Sequence, residues 1–295
     1  MGLARAVWIS LRPRQWVKNL FVLAGVVFSQ NLFTPLLWPA LAAFVLFCAL
    51  SGGIYLLNDV ADYDKDRLHP AKRLRPVAAG ALRRQAALGI GAAILLVSLA
   101  LSFLLSRLFG WVALGYVVLL VAYSAGLKRV VIVDALTVSI GFVLRAAAGA
   151  VVIDVEISGW LLICTILLAL FLALGKRRHE LLTLEGVAAD HRPILVEYSA
   201  GLLDQMIAVV TASTVTAYSL YTMSAETVAR FHTRLLPLTL PFVLYGIFRY
   251  LYLLYRRQLG GNPSELFLTD RALLLNTLFW ILTVVLILYL PARLG

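Results

Sequence analysis

The sequence predicts an all-α fold: a polytopic, nine-helix transmembrane bundle carrying a polar cap on one side. Three observations predict it. The chain of 295 residues is 62% hydrophobic and only 14% charged, with mean hydropathy +0.91, whereas soluble domains are about half apolar and about a quarter charged. Its apolar residues gather into nine long runs. Its cations crowd alternate loops between those runs.

The runs lie at roughly 17–30, 36–57, 86–106, 109–127, 133–153, 158–175, 199–222, 235–255 and 272–291. Each approaches the ~20 helical residues needed to cross a hydrocarbon core, the first being short and expected to tilt or to start near Trp16. Nine crossings put the termini on opposite sides. Of the 26 Lys and Arg residues, only Arg107, Arg230, Arg234 and Arg293 fall on one side, and Arg145 and Arg249 lie within apolar runs. The rest share the side of the N-terminus and of the loops after runs two, four, six and eight. That bias places this side in the cytoplasm of a multi-pass plasma (inner) membrane protein. No short apolar core with a small-residue cleavage site marks a signal peptide. No Pro/Gly/Ser-rich linker interrupts the chain, so residues 1–295 are expected to form a single domain.

Several function classes drop out. Cys48 and Cys164 both sit in apolar runs, which argues against a disulfide framework or a thiolate metal site. His69, His179, His191 and His232 show no paired metal spacing, so zinc is not expected. The formal charge of +11 is distributed for a membrane, not for nucleic acid.

The most informative stretch is NDVADYDKDRLHPAKRLRPVAAG, Asn58 to Gly80, where the second run meets a basic loop. On a helix, Asp59, Asp62 and Asp66 are spaced i, i+3, i+7 and share one narrow face, while Asp64 points elsewhere. Three anions at a helix C-terminus repel one another and oppose the helix dipole. A divalent cation turns that liability into a site. Mg²⁺ suits it, because Mg²⁺ usually takes one or two carboxylates together with substrate phosphates and waters; Mn²⁺ is an acceptable substitute. Asn58, one residue deeper, can donate to a phosphate or orient Asp62. Pro70 and Pro76 are expected to break the helix, and Arg73–Leu88 to resume as an amphipathic helix at the interface.

Cations follow directly: Lys65, Arg67, His69, Lys72, Arg73 and Arg75. Lys72, Arg73 and Arg75 are candidate phosphate contacts, since Arg and Lys clamp phosphate oxygens. Arg83 and Arg84 suit positive-inside topology and attraction to anionic lipid. Tyr123 and Lys128 close the fourth run in YSAGLKR, where an interfacial Tyr with snorkelling cations is the plainer explanation and substrate contact the sharper one. Asp134 opens the fifth run and can cap that helix or serve the site. Arg145 lies 11 residues further on, roughly 16 Å deeper at 1.5 Å per residue. An arginine near mid-membrane marks a cavity, a substrate path or a buried ion pair. After the sixth run comes GKRRHELLTLE, where Lys176, Arg177 and Arg178 form a second basic helix end suited to phosphate. As a phosphate contact, Arg177 is expected to matter more for substrate use than for stability.

These residues resemble a known family, the UbiA superfamily of intramembrane transferases. The first motif of that family, NDxxDxxxD, reads here Asn58-Asp59-x-x-Asp62-x-x-x-Asp66, and the run count and motif placement match over nearly the whole chain. The resemblance implies a nine-helix bundle whose cytoplasmic loops after helices two and six hold a Mg²⁺-bridged diphosphate. The chain departs from the family's second acidic motif, DxxxD, where it reads Lys176-Arg177-Arg178-His179-Glu180. The longer strings NDVADYDKDRLHPAKRLRPVAAG, GFVLRAAAGA and LGKRRHEL are similar to one branch of the superfamily. Members of that branch move 5-phosphoribose from phosphoribosyl pyrophosphate (PRPP) to a long polyprenyl (decaprenyl) phosphate, for arabinan precursors of actinobacterial cell walls. The resemblance implies Asp59, Asp62 and Asp66 as metal ligands and catalytic residues, and PRPP, polyprenyl phosphate and the bilayer as partners. The alternative is a family prenyltransferase moving a prenyl group to an aromatic or other acceptor. A homo-oligomer is compatible with the sequence. A transporter is less compatible, because the polar groups concentrate at one face and no inverted repeat is visible.

Overall fold

The computed structural model describes residues 2–68, 72–183 and 193–290. Among these residues all regular secondary structure is helical, with no strand. The helices are α1 (Leu3–Ser10), α2 (Ala24–Phe28), α3 (Leu37–Ala61), α4 (Tyr63–Leu68), α5 (Arg84–Leu105), α6 (Arg107–Ala125), α7 (Val133–Val152), α8 (Gly159–Thr183), α9 (Ala200–Met223), α10 (Ala225–Phe231), α11 (Leu240–Tyr255), α12 (Pro263–Thr269) and α13 (Arg271–Tyr289). Eight helical stretches among the described residues are long and apolar enough to span a membrane. They correspond to the second through ninth apolar runs. Their outer faces carry large apolar side chains: on α5, Leu96, Val97 and Leu104 are 57–81% exposed. A soluble bundle would hide such a face; a bilayer solvates it.

The first run differs from expectation. Pro13–Leu23 is a 3₁₀ helix, followed by the short α2. An 11-residue 3₁₀ stretch is unusual, and local causes are at hand. Arg12 enters it in the left-handed region (φ 53°) with Pro13 next. Asn19 turns inward, its amide donating to Ser51 Oγ at 3.2 Å and to Cys48 Sγ at 3.3 Å.

By contact density the described chain divides into two compact units. One comprises residues up to Val26, Asn31–Gly126 and Leu144–Glu156; the other comprises Val27–Gln30, Leu127–Val143 and Ile157 onward. In the first unit α3 is the buried element. Phe47 packs against Phe109 and Tyr116, with ring centroids 5.8 and 5.0 Å apart, among Val22, Leu50, Ile54 and Leu95. Glycine is essential at one crossing. A Cβ on Gly149 would stand 1.7 Å from the Val22 carbonyl oxygen, and one on Gly25 would stand 2.7 Å from the Ala150 nitrogen. Small residues thus let two backbones touch, as membrane helices favour.

In the second unit, Phe171, Leu174, Leu203, Leu253 and Leu273 form a core around Tyr250, whose ring meets Phe171 edge-on at 5.1 Å. A second core groups Tyr218, Tyr221, Phe231, Leu236 and Leu288. There the Tyr218 hydroxyl pairs with Thr239 Oγ1 at 2.7 Å and accepts the Trp280 indole N–H at 3.0 Å, which keeps the buried hydroxyl satisfied.

The segment between α3 and α5 also corrects the sequence reading. Residues 73–83 do not form an amphipathic helix. Lys72–Leu74 is a 3₁₀ turn, residues 76–82 form turns, and helix resumes only at Arg84 as part of α5. Pro76 donates no N–H, Leu82 N–H bonds back to the Pro76 carbonyl at 3.0 Å, and Gly80 is left-handed at φ +75°, so a helix cannot run through. His69 and Pro70 lie outside the described residues, as do His191, Arg192, Arg293 and Pro291 at the end of the ninth run.

The Gly149 crossing gives a direct test. Gly149→Val should destabilise the protein by more than the ~1–3 kcal/mol typical of overpacking, because the clash is with backbone. Thermal unfolding in detergent should show a large drop; an unchanged midpoint would refute the close approach.

Candidate functional site

Two clusters of charged side chains stand out, one in each unit. The first is built on the junction of α3 and α4. Asp62 ends α3 in a near-helical conformation (φ −91°, ψ 10°). Its N–H donates to the Asn58 carbonyl at 2.9 Å, and the Asp66 N–H donates to the Asp62 carbonyl at 2.8 Å. The i→i+4 hydrogen bonding therefore continues across the junction. Asp59 and Asp66 are buried, Asp62 and Asn58 are half-buried, and Asp64 is exposed.

Two arginines partner these acids. Arg75 Nη1 stands 2.6 Å from Asp66 Oδ2 and 3.2 Å from Asp59 Oδ1, bridging them. Arg12 also pairs with Asp59 and lies over the Tyr55 ring at 4.8 Å. The left-handed turn at Arg12 delivers it there. Nothing in the sequence separated Arg12 from the other N-terminal cations, so it escaped notice as a site residue. Lys72 and Arg73 are exposed on the 3₁₀ turn beside Arg75.

Among the described residues, no group of three or more His, Cys, Asp or Glu side chains converges in a manner fit to hold a metal ion. What converges is a pair: one oxygen each from Asp59 and Asp66, aimed at a single cationic nitrogen. Two carboxylates around one cation position fit Mg²⁺, which completes its octahedron with phosphate and water.

Arg145 belongs to the same unit but to a different network. It is buried; its Nε donates to Asn19 Oδ1 at 2.8 Å and its Nη2 to the Tyr116 hydroxyl at 2.6 Å. Its guanidinium also lies 4.8 Å from the Tyr116 ring centroid. Polar partners satisfy the intramembrane cation, as its cost requires. Tyr123 is half-buried near the end of α6.

The second cluster gathers around Arg177, near the end of α8. Its Nε lies 2.8 Å from Asp134 Oδ2, and its Nη1 pairs with Glu180. Asp134 and Arg177 are at most 2% exposed. Lys176 reaches Glu180 at 3.6 Å, the i, i+4 pair the spacing allowed. Arg178 turns to Asp204, 2.5 Å away, and stacks on Tyr255 at 4.0 Å. Lys128 is half-buried on the 3₁₀ turn Leu127–Arg129. Lys176 and Arg177 therefore share Glu180, Arg177 also holds Asp134, and Arg178 turns away to Asp204.

Tyr198 completes this cluster without any sequence signal. Its hydroxyl donates to Asp134 Oδ1 at 3.0 Å and accepts the Ile132 N–H at 2.7 Å. Ile132 is left-handed at φ 67°, a conformation disfavoured for a β-branched residue. Burial pushes the Tyr198 phenol up to about 12, so it keeps its proton and stays a donor.

The geometry makes Arg177 a buried partner first. Arg177→Ala should cost ~3–5 kcal/mol, the scale for stranding a buried charge, here Asp134. Tyr198→Phe should cost ~1–3 kcal/mol through two unsatisfied groups. Thermal unfolding of both variants checks this; wild-type stability in Arg177→Ala would return that residue to the role of a surface phosphate contact.

Comparison with known proteins agrees with this architecture. Residues 19–269 match the model of the UbiA prenyltransferase family. The chain is 32% identical to the decaprenyl-phosphate phosphoribosyltransferase of Mycolicibacterium smegmatis, covering 96% of this chain and 91% of that one. It is 34% identical to the protein of the same name from Corynebacterium glutamicum, covering 98% and 88%. Its fold is similar to that of a UbiA homologue from Archaeoglobus fulgidus bound to GPP and Mg²⁺, with TM-score 0.73 at 17% identity over 96% of this chain and 99% of that one. It is also similar to a digeranylgeranylglyceryl phosphate synthase structure, with TM-score 0.68 at 15% identity over 97% and 98%. The all-helical membrane bundle, the acidic stripe and these likenesses agree: the chain belongs to the UbiA prenyltransferase family.

Proposed function

We propose that this protein transfers 5-phosphoribose from PRPP to a polyprenyl phosphate, decaprenyl phosphate being the acceptor named in its relatives, and releases pyrophosphate. Near-full-length identity to two phosphoribosyltransferases carries this reading. The basic segment at Lys176–Arg178 supports it, because it stands where the family has a second acidic motif.

The chemistry is a displacement at the ribose C1. The C1–O bond to pyrophosphate breaks, an oxygen of the lipid phosphate bonds to C1, and the leaving electrons stay on pyrophosphate. A lipid phosphate is already anionic at neutral pH, so the acceptor requires no general base. Asp59 and Asp66, with Asp62 alongside, would hold Mg²⁺, which when bound supplies charge neutralisation to the departing pyrophosphate. Arg75 and Arg12 serve the same carboxylates as counter-ions, and their guanidiniums would turn to phosphate oxygens once a metal takes that place. Lys72 and Arg73 are exposed on the adjoining turn and add cations for the diphosphate, with Asn58 as a neutral donor. Lys176 and Arg178 are candidates for an anionic group of either substrate. Arg177 acts through its buried pair with Asp134. Tyr123, Lys128 and Arg145 remain candidates for substrate contact, with Arg145 also bracing the bundle through Asn19 and Tyr116. The cation bias supports a cytoplasmic position for these aspartates at the plasma membrane.

The second reading is prenyl transfer from a prenyl diphosphate, and the GPP in the Archaeoglobus homologue favours it. The missing second acidic motif weighs against it.

Purified protein given labelled PRPP, polyprenyl phosphate and Mg²⁺ should produce a labelled lipid; turnover of a prenyl diphosphate instead would reverse the two readings. Asp59→Ala and Asp62→Ala should each lower the rate by roughly 100-fold or more, the scale of losing preorganised charge stabilisation. Retained activity in either would remove the metal scheme. EDTA should abolish product formation, and Mg²⁺ or Mn²⁺ should restore it.

A further inference from the structure

A cavity of ≈ 370 Å³ opens between α4 and the start of α5, lined by Tyr63, Val77, Gly80, Leu82 and the run Arg83, Arg84 and Gln85. None of these residues belongs to the acidic stripe or to its arginine partners. Arg67 and Arg84 both place their guanidiniums 5.6 Å from the centroid of the Tyr63 ring. Two like charges are thus gathered at one aromatic side chain, with Arg83 adjacent. The nearby acid Asp66 is already paired with Arg75; Asp62, beside Tyr63, is half-buried and Asp64 is exposed. An anion in the cavity would relieve the repulsion and draw charge-assisted hydrogen bonds from the arginines.

The surroundings say which anion. Leu68 and Leu74 are 87% and 78% exposed, and Leu88, one turn into α5, is 52% exposed. Leucines bare to this degree, interleaved with Arg67, Arg73, Arg83 and Arg84, form a surface suited to the bilayer interface. Below them α5 presents Leu96, Val97 and Leu104 outward, a path for hydrocarbon chains. Gly80, left-handed at φ +75° and with open space where a Cβ would stand, keeps the mouth unobstructed.

We propose that this cavity binds the phosphodiester headgroup of an anionic phospholipid, with its acyl chains lying along the exposed face of α5. The site is separate from catalysis and independent of the proposed reaction. It would fix the loop between α4 and α5 against the membrane surface, with basic residues reading lipid charge as juxtamembrane clusters do.

Native mass spectrometry of the detergent-purified protein tests it, with phosphatidylglycerol, phosphatidylcholine and inorganic pyrophosphate as separate additions. The wild type should retain a phosphatidylglycerol adduct that phosphatidylcholine does not give and that pyrophosphate does not displace. The double variant Arg83→Gln/Arg84→Gln should bind phosphatidylglycerol more weakly by roughly tenfold or more, from two cations at an anionic headgroup. Should the double variant fail to fold, Arg84→Gln and Tyr63→Leu singly should each weaken the same adduct. Equal adducts in wild type and variants, or equal binding of both lipids, would overturn the proposal. Displacement by pyrophosphate would also overturn it, by making the cavity a site for soluble phosphates.

Discussion

A carboxylate removed from water is tolerated only when a cation is removed with it, and that constraint organises the polar part of this protein. Asp59, Asp66 and Asp134 are each almost fully buried. Each has a guanidinium in contact: Arg12 and Arg75 for the first two, Arg177 for the third. The backbone bends to supply these partners. Arg12 arrives through a left-handed turn, and Arg75 arrives from a loop that Pro76 and Gly80 keep out of helix. Asp134 stands two residues beyond a left-handed isoleucine.

The two clusters use the same pairing for different ends. Around Asp59 and Asp66 the cations are half-exposed and come from flexible side chains, with arginine exposures of 27–28%. Such a pair can be exchanged for another cation at modest cost. Around Asp134 the cation is buried and shared with Glu180, and a tyrosine fills the remaining valence of the carboxylate. That arrangement is rigid. The first has the character of a place where ions come and go, the second of a brace.

Much of this was legible in the chain. Hydropathy located every described membrane-length helix, because long apolar runs have few alternatives in a bilayer. Of Asp59, Asp62 and Asp66, read as one helical face, Asp59 and Asp66 meet at Arg75, and i→i+4 bonding continues through the α3–α4 junction. Periodicity failed where tertiary contacts decide. The segment Pro13–Leu23 became 3₁₀, with Asn19 drawn inward among buried polar partners. Arg73–Leu88 lost its expected helix to a proline and a left-handed glycine. Arg177, read as a phosphate contact, is enclosed by Asp134 and Glu180, which lie 43 positions before it and three after. Tyr198 and Arg12 carried no mark, because a partner 64 or 47 positions away leaves no local pattern.

The Tyr198 hydroxyl has a consequence for how the protein meets alkali. A free phenol ionises near 10, but this one holds its proton until about 12. Its contribution to stability is therefore complete below pH ~10 and fades as pH climbs through 12. Membrane washing at mildly basic pH leaves that lock closed. Harsher caustic extraction strips the proton, removes the hydrogen bond donated to Asp134 and sets phenolate against carboxylate, while the Ile132 N–H keeps its acceptor.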